Sequence, residues 1–127
     1  MESKKVIFSL GTVKISVILR DTPTAKAILE ALPINSNAQT WGDEVYLSIP
    51  VESKLEADAK SVVEAGEIAF WVEGSCIAIG FGPTPISHGD EIRLAAETNI
   101  WADAVEDVSC LRKVSPQDPI HIELAEN

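Results

Sequence analysis

The stretch Gly66-Glu67-Ile68-Ala69-Phe70-Trp71-Val72-Glu73-Gly74-Ser75-Cys76-Ile77-Ala78-Ile79-Gly80-Phe81-Gly82 decides the fold. On either side of the turn Glu73-Gly74-Ser75 the residues alternate at period 2, the pattern of a hairpin with one face buried. Ile68, Phe70, Val72, Ile77, Ile79 and Phe81 share one parity and read as core. Ala69, Trp71, Cys76, Ala78 and Gly80 share the other. Because Cys76, Ala78 and Gly80 are small, they leave a shallow strip beside Trp71 on which a ligand or another segment can lie.

Outward from this hairpin, further short strands appear. Val6–Leu10 and Val13–Leu19 flank Gly11-Thr12 and predict a second hairpin. Asp21 or Thr22 can cap a helix that Pro23 opens, with Ala25, Ile28, Leu29 and Leu32 at helical spacing. Pro33 ends the run, so a helix is expected over about residues 23–32. The Asn- and Ser-rich residues 34–40 read as a loop, then Trp41-Gly42-Asp43 turns the chain into a strand over 44–50. Lys54 to Glu64 fits either a short second helix or an irregular acidic excursion. Pro83 to Asp90 is a rigid loop, followed by short strands over 91–94 and 99–104. Val108 to Leu111 reads as an edge or a short turn. Ser115 to Pro119 is a loop, and Ile120-His121-Ile122-Glu123-Leu124 alternates as a last strand. Many short strands with few helices favour a barrel or sandwich.

The 127 residues suit one domain over 1–127. A net charge of −10, from 20 acidic against 10 basic side chains, disfavours nucleic acid and anionic membrane partners. The start Met1-Glu2-Ser3-Lys4-Lys5 is followed only by the short apolar run Val6–Leu10, too short for a secretion signal or a membrane span. The expected location is therefore the cytoplasm. Cys76 and Cys110 are far apart with no paired ligand motif nearby, which points to two reduced thiols and to no metal site or cofactor.

Three separated blocks carry a family resemblance: Thr40-Trp41-Gly42-Asp43-Glu44-Val45-Tyr46-Leu47-Ser48-Ile49-Pro50-Val51, Val62-Val63-Glu64-Ala65-Gly66-Glu67-Ile68-Ala69-Phe70-Trp71, and Phe81-Gly82-Pro83-Thr84-Pro85-Ile86-Ser87. In order and spacing they resemble the small prokaryotic cyclophilin-like family of unassigned function, over Val6 to Leu124. The resemblance implies a mainly β, closed cyclophilin-like barrel with one well-formed helix in its N-terminal third; it implies no activity. Cyclophilins that isomerise X–Pro bonds donate from an arginine three positions before a strand-ending proline. If Pro50 is that proline, Leu47 stands there. Their Gly-Ser-Gln-Phe-Phe strand is best matched by Gly74-Ser75-Cys76-Ile77-Ala78, with Cys76 and Ala78 replacing the glutamine and the pocket phenylalanine. Strand alternation also allows Tyr46 and Ser48, rather than Leu47, to face the site, and a one-residue slip exchanges these faces.

Among chemistry-bearing groups, His88 lies beside Ser87 and Asp90 in the proline-rich loop, but neighbours in sequence rarely reach triad geometry. His121 alternates with Ile120 and Ile122 and points to solvent. Glu44, Glu67, Asp90 and Glu91 border strands, as acidic residues of an acidic chain do by chance, and carry no spacing that fixes a catalytic pair. No catalytic residue is assigned. The candidate ligand-binding set is Trp41, Tyr46, Ser48, Trp71, Cys76, Ala78, Phe81, Thr84, Ser87, His88 and Arg93: aromatic walls with a few polar groups. The leading expectation is a non-enzymatic module binding a small molecule or extended peptide. A weak or lapsed peptidyl-prolyl isomerase is the first alternative, and a subunit that buries the strip against its own copy is the second.

Overall fold

The computed structural model describes residues 4–125. The first three residues of the charged start therefore lie outside the described residues. The strands are β1 (Lys5–Leu10), β2 (Val13–Leu19), β3 (Ile34–Asn37), β4 (Gln39–Thr40), β5 (Glu44–Ser48), β6 (Lys60–Val63), β7 (Glu67–Trp71), β8 (Cys76–Gly80), β9 (Ile92–Ala104) and β10 (Pro119–Leu124). Helix α1 spans Pro23–Ala31, and a 3₁₀ helix spans Val108–Lys113.

All ladders are antiparallel, in the order β3-β10-β1-β2-β9-β7-β8-β5-β4, with β6 added on β9. Since β3 and β4 are separated only by Ala38, one continuous segment pairs with β10 on one side and β5 on the other. The sheet thereby curls into a nearly closed barrel, as the resemblance implies. Residues 34–40 are thus strand and not the loop their composition suggests. Their backbone groups find partners on both sides, and Ser36 Oγ donates to the Ser48 carbonyl at 2.7 Å, so ladder pairing overrides local propensity.

Helix α1 follows its signals closely. Thr22 Oγ1 accepts from the Ala25 N–H at 3.1 Å, Pro23 occupies the first turn, and Ala25 and Ile28 enter the core. Barrel filling comes from the predicted parity: Ile68, Phe70, Ile77 and Ile79 are all buried, together with Val6, Phe8, Ile15, Leu47 and Trp101. Each such large side chain contributes about 1.5–3 kcal/mol on burial. Phe8 and Trp101 rings lie 6.2 Å apart, and Trp101 Nε1 donates to the Ala69 carbonyl at 3.4 Å.

One expectation about β9 needs correction, and of the two readings of its neighbour the irregular one holds as far as β6. Residues 92–94 and 99–104 belong to one strand of 13 residues, Ile92–Ala104. A bulge opposite Ile68 and Ala69 sends Ile100 outward and Trp101 inward, which breaks the alternation that the sequence would otherwise show. Residues 54–64 form no helix. The chain runs irregularly and then pairs as β6, and the second helix is the 3₁₀ turn over Val108–Lys113. The irregular part is nonetheless anchored: Asn99 Nδ2 donates to Thr24 Oγ1 at 3.0 Å and to the Lys54 carbonyl at 2.8 Å, while its Oδ1 accepts from Glu56 N–H at 2.8 Å.

Candidate functional site

The small-residue strip is less open than the sequence suggests. β6 and the first half of β9 fold across the outer face of the barrel, and Val63, Ile92, Leu94 and Ile100 pack there on Ala69 and Ala78 as a second apolar cluster. A Cβ at Gly80 would collide with Ile92 Cγ2, so that end of the strip is filled. The other end stays hollow. A cavity of about 230 Å³ is lined by Trp41, Glu44, Tyr46, Trp71, Cys76, Ala78 and, from β9, Leu94, Ala95, Ala96 and Thr98. An apolar cavity of roughly 150 Å³ already accepts a benzene ring, so the space takes one small molecule or one side chain.

Strand register builds this hollow. Tyr46 stands opposite Ala78, and Ala78 opposite Ala69; in the next row Ser48 stands opposite Cys76, and Cys76 opposite Trp71. Tyr46 and Trp71 therefore rise from strands about 10 Å apart, with only small side chains between them. Leu47 is buried in the barrel, which resolves the register: Glu44, Tyr46 and Ser48 face the cavity side. A residue at position 47 therefore points away from the cavity.

The orientation of the walls has identifiable causes. A Cβ at Gly74 would overlap the Trp71 ring, so the indole lies flat against that turn. Trp41 is set by the β4–β5 turn, where its N–H donates to the Glu44 carbonyl at 3.0 Å and Gly42 has φ +60°. A side chain at Gly42 would meet Pro85 Cδ at 2.8 Å and Thr84 Cα at 2.9 Å.

Several predicted site residues support this turn without lining the cavity. Thr84 Oγ1 donates to the Arg93 carbonyl, and Ser87 Oγ accepts from the N–H groups of Thr84 at 2.9 Å and Arg93 at 3.2 Å. These bonds tie the proline-rich loop to β9 just before Leu94. The Arg93 guanidinium is occupied by Glu91, with Nε to Oε2 at 2.6 Å. Phe81 turns to the main core and carries Arg112 over its ring at 5.1 Å; Arg112 also pairs with Asp43 at 3.0 Å. His88 is exposed, and Ser48 touches the floor only through Cys76 Sγ at 3.7 Å.

Glu44 is the residue that the sequence reading undervalued. It is only 6% exposed, its Oε1 has no hydrogen-bond partner, and burial pushes its pKa from 4.5 to about 7. Trp71 Nε1 is likewise enclosed and unpartnered. Two residues of the cavity wall thus each carry a shielded polar atom without a partner, where most buried polar groups are paired. The alternation Glu44-Val45-Tyr46 was the available signal, since it places Glu44 on the face of Tyr46. Nothing in local sequence marked Leu94, Ala95, Ala96 and Thr98 as a wall. No group of His, Cys, Asp and Glu able to hold a metal occurs among the described residues. Both cysteines are free.

No curated protein matches the sequence. A solved structure, the solution structure of a hypothetical protein from Archaeoglobus fulgidus, is 34% identical, covers 97% of this chain and 95% of that chain, and superimposes with a TM-score of 0.84. The model of the family described as cyclophilin-like matches residues 4–123. With barrel order, residue blocks and family match in agreement, the chain belongs to the cyclophilin-like family.

Proposed function

We propose that this domain is a non-enzymatic binding module, acting in the cytoplasm, whose ligand enters the hollow between Tyr46 and Trp71. The observation that carries this reading is the cavity itself: half-buried aromatic walls, a floor of Cys76 and Ala78, and the acidic side chain of Glu44 in the wall. Concave apolar surface with a few polar groups is the ordinary constitution of a ligand site. The ligand is a small molecule, or one side chain of an extended peptide whose remainder lies outside.

Turnover has less support. Among the lining residues Cys76 is the candidate nucleophile, but its thiol donates to the Gly74 carbonyl at 3.3 Å rather than to Glu44, the one lining carboxylate that could take its proton. An isomerase would need a donor over the amide.

A fragment screen followed by two-dimensional NMR and thermal denaturation tests the proposal. Fragments should perturb Tyr46, Trp71 and Ala78 and raise Tm; at 100 times Kd the gain is about 2.7 kcal/mol. A proline tetrapeptide should isomerise at its uncatalysed rate. Acceleration that disappears in Trp71→Ala would replace this reading by an isomerase. A stable oligomer that Ala78→Arg converts to monomer would replace it by self-association.

A further inference from the structure

Resting on the binding reading above, and narrowing it, we infer that the hollow is a cation cage that takes an alkylammonium group. Trp41, Tyr46 and Trp71 contribute to the wall of one cavity, and Glu44 shares that wall. Aromatic faces attract cations through their quadrupole, Trp most strongly, and clustered aromatic rings are the recurring device for recognising ammonium groups.

The charge pattern agrees. No Lys, Arg or His is among the described lining residues, so Glu44 has no internal counter-ion, unlike Glu67, Glu91 and Asp103, which are held by Arg20, Lys60 or Arg93. The chain's net charge of −10 adds a field that draws cations and repels anions. An ammonium group beside Glu44 would supply the counter-charge that the cavity wall lacks. A neutral ligand would leave either a buried unpaired charge or a carboxylic acid needing an acceptor, and an anion would face repulsion.

Proton linkage follows. Burial leaves Glu44 half protonated near pH 7, and a bound ammonium favours its ionised form, so uptake of the cation releases a proton. The other ionisable lining side chains are Tyr46 and Cys76 on β5 and β8, while β7 and β9 present Trp71, Leu94, Ala95, Ala96 and Thr98. Asp43, next in sequence to Glu44, is paired with Arg112.

The test titrates n-butylammonium, its neutral counterpart butan-1-ol, and butyrate into the full chain at pH 6 and pH 8, following the indole signals of Trp41, Trp71 and the buried Trp101. The cation should shift Trp41 and Trp71 saturably and leave Trp101 unmoved, and should bind at least about tenfold tighter than the alcohol. Its affinity should rise about tenfold between pH 6 and pH 8, since the ionised fraction of a group titrating near 7 rises by that factor. Glu44→Gln, which keeps shape and removes charge, should abolish the pH dependence and reduce the preference to what the rings alone supply. A peptide carrying one central lysine, compared with its norleucine analogue, separates the sources: tighter binding than butylammonium identifies a peptide side chain, and equal or weaker binding a free amine.

Equal binding of alcohol and cation, tighter binding of butyrate, or an unchanged cation preference in Glu44→Gln overturns the cage and leaves the binding reading intact. If none of these probes shifts the indoles while other fragments do, the cage is again overturned alone. If no fragment of any class does, the cage and the binding reading fall together.

Discussion

Glu44 stands opposite Gly80 in the β5–β8 ladder, and the space that a side chain at Gly80 would fill is taken by Ile92. An acidic side chain is thereby placed beside a clamped apolar corner at one end of a hollow. The residue shares the cavity wall with Trp41 and Tyr46, and its Oε1 is buried without a hydrogen-bond partner. Such an arrangement lowers stability unless something occupies the hollow.

The pH dependence of folding should show this. Unfolded, Glu44 ionises near the ordinary 4.5; folded, near 7, so within that window the native state holds the extra proton. Stability due to this group is therefore fully present below about 4.5 and is lost as pH rises through 7, a difference of about 3 kcal/mol. Glu44→Gln removes the titration. Its Tm should match the parent near pH 4.5 and exceed it by several degrees at pH 8. Equal Tm values at pH 8 would mean that the carboxyl is solvated.

Trp71 owes its pose to the absence of a side chain at Gly74. Gly74→Ala should displace the indole, shift the Trp71 Nε1 signal and weaken fragment binding about tenfold or more, at a folding cost of about 1–3 kcal/mol. Unchanged binding with a displaced ring would remove Trp71 from the wall.

Leu47 fixes the β5 register, because it is fully buried in the barrel. Leu47→Arg should destabilise by at least about 3 kcal/mol, since it removes core packing and drives a charge inward. It should confer no isomerase activity. A well-folded, active Leu47→Arg protein would show that position 47 faces the cavity.

At the barrel edge, burial favours the neutral form of Glu67, but the Glu64 N–H, Lys60 and Arg20 outweigh it and hold its pKa below the usual range. The stability from this ionised carboxylate is present at neutral pH and lost as pH falls through the depressed value. Arg20 also grips Asp103, with Nε to Oδ2 at 2.8 Å and Nη2 to Oδ1 at 2.7 Å. Because Arg20 is partly exposed, solvent screening limits the loss in Arg20→Met to about 1 kcal/mol at pH 7, shrinking in acid. Urea denaturation at pH 7 and pH 3 measures the difference.

The barrel was legible because hairpins such as 66–82 keep a strict period-2 pattern, so Ile68, Phe70, Ile77 and Ile79 declared themselves as core. The same alternation placed Tyr46, Trp71, Cys76 and Ala78 at the hollow, and Trp41 joined them through the turn. What stayed hidden depends on long-range pairing. The bulge at Trp101 broke the pattern of β9, so neither its full length nor its role as a roof could be read. Residues 34–40 read as loop because they are polar, and their strand character comes from distant partners, β10 for 34–37 and β5 for 39–40. Thr84, Ser87 and Arg93 were singled out for polar groups that the fold spends on buttressing the Trp41 turn.

The most direct measurement is the position of a bound fragment, from intermolecular NOEs or a soaked crystal. The account predicts contacts with the Ala78 methyl, the Tyr46 ring and the Trp71 indole. Contacts confined to the Thr84–His88 loop or to the Phe81–Arg112 surface would contradict it.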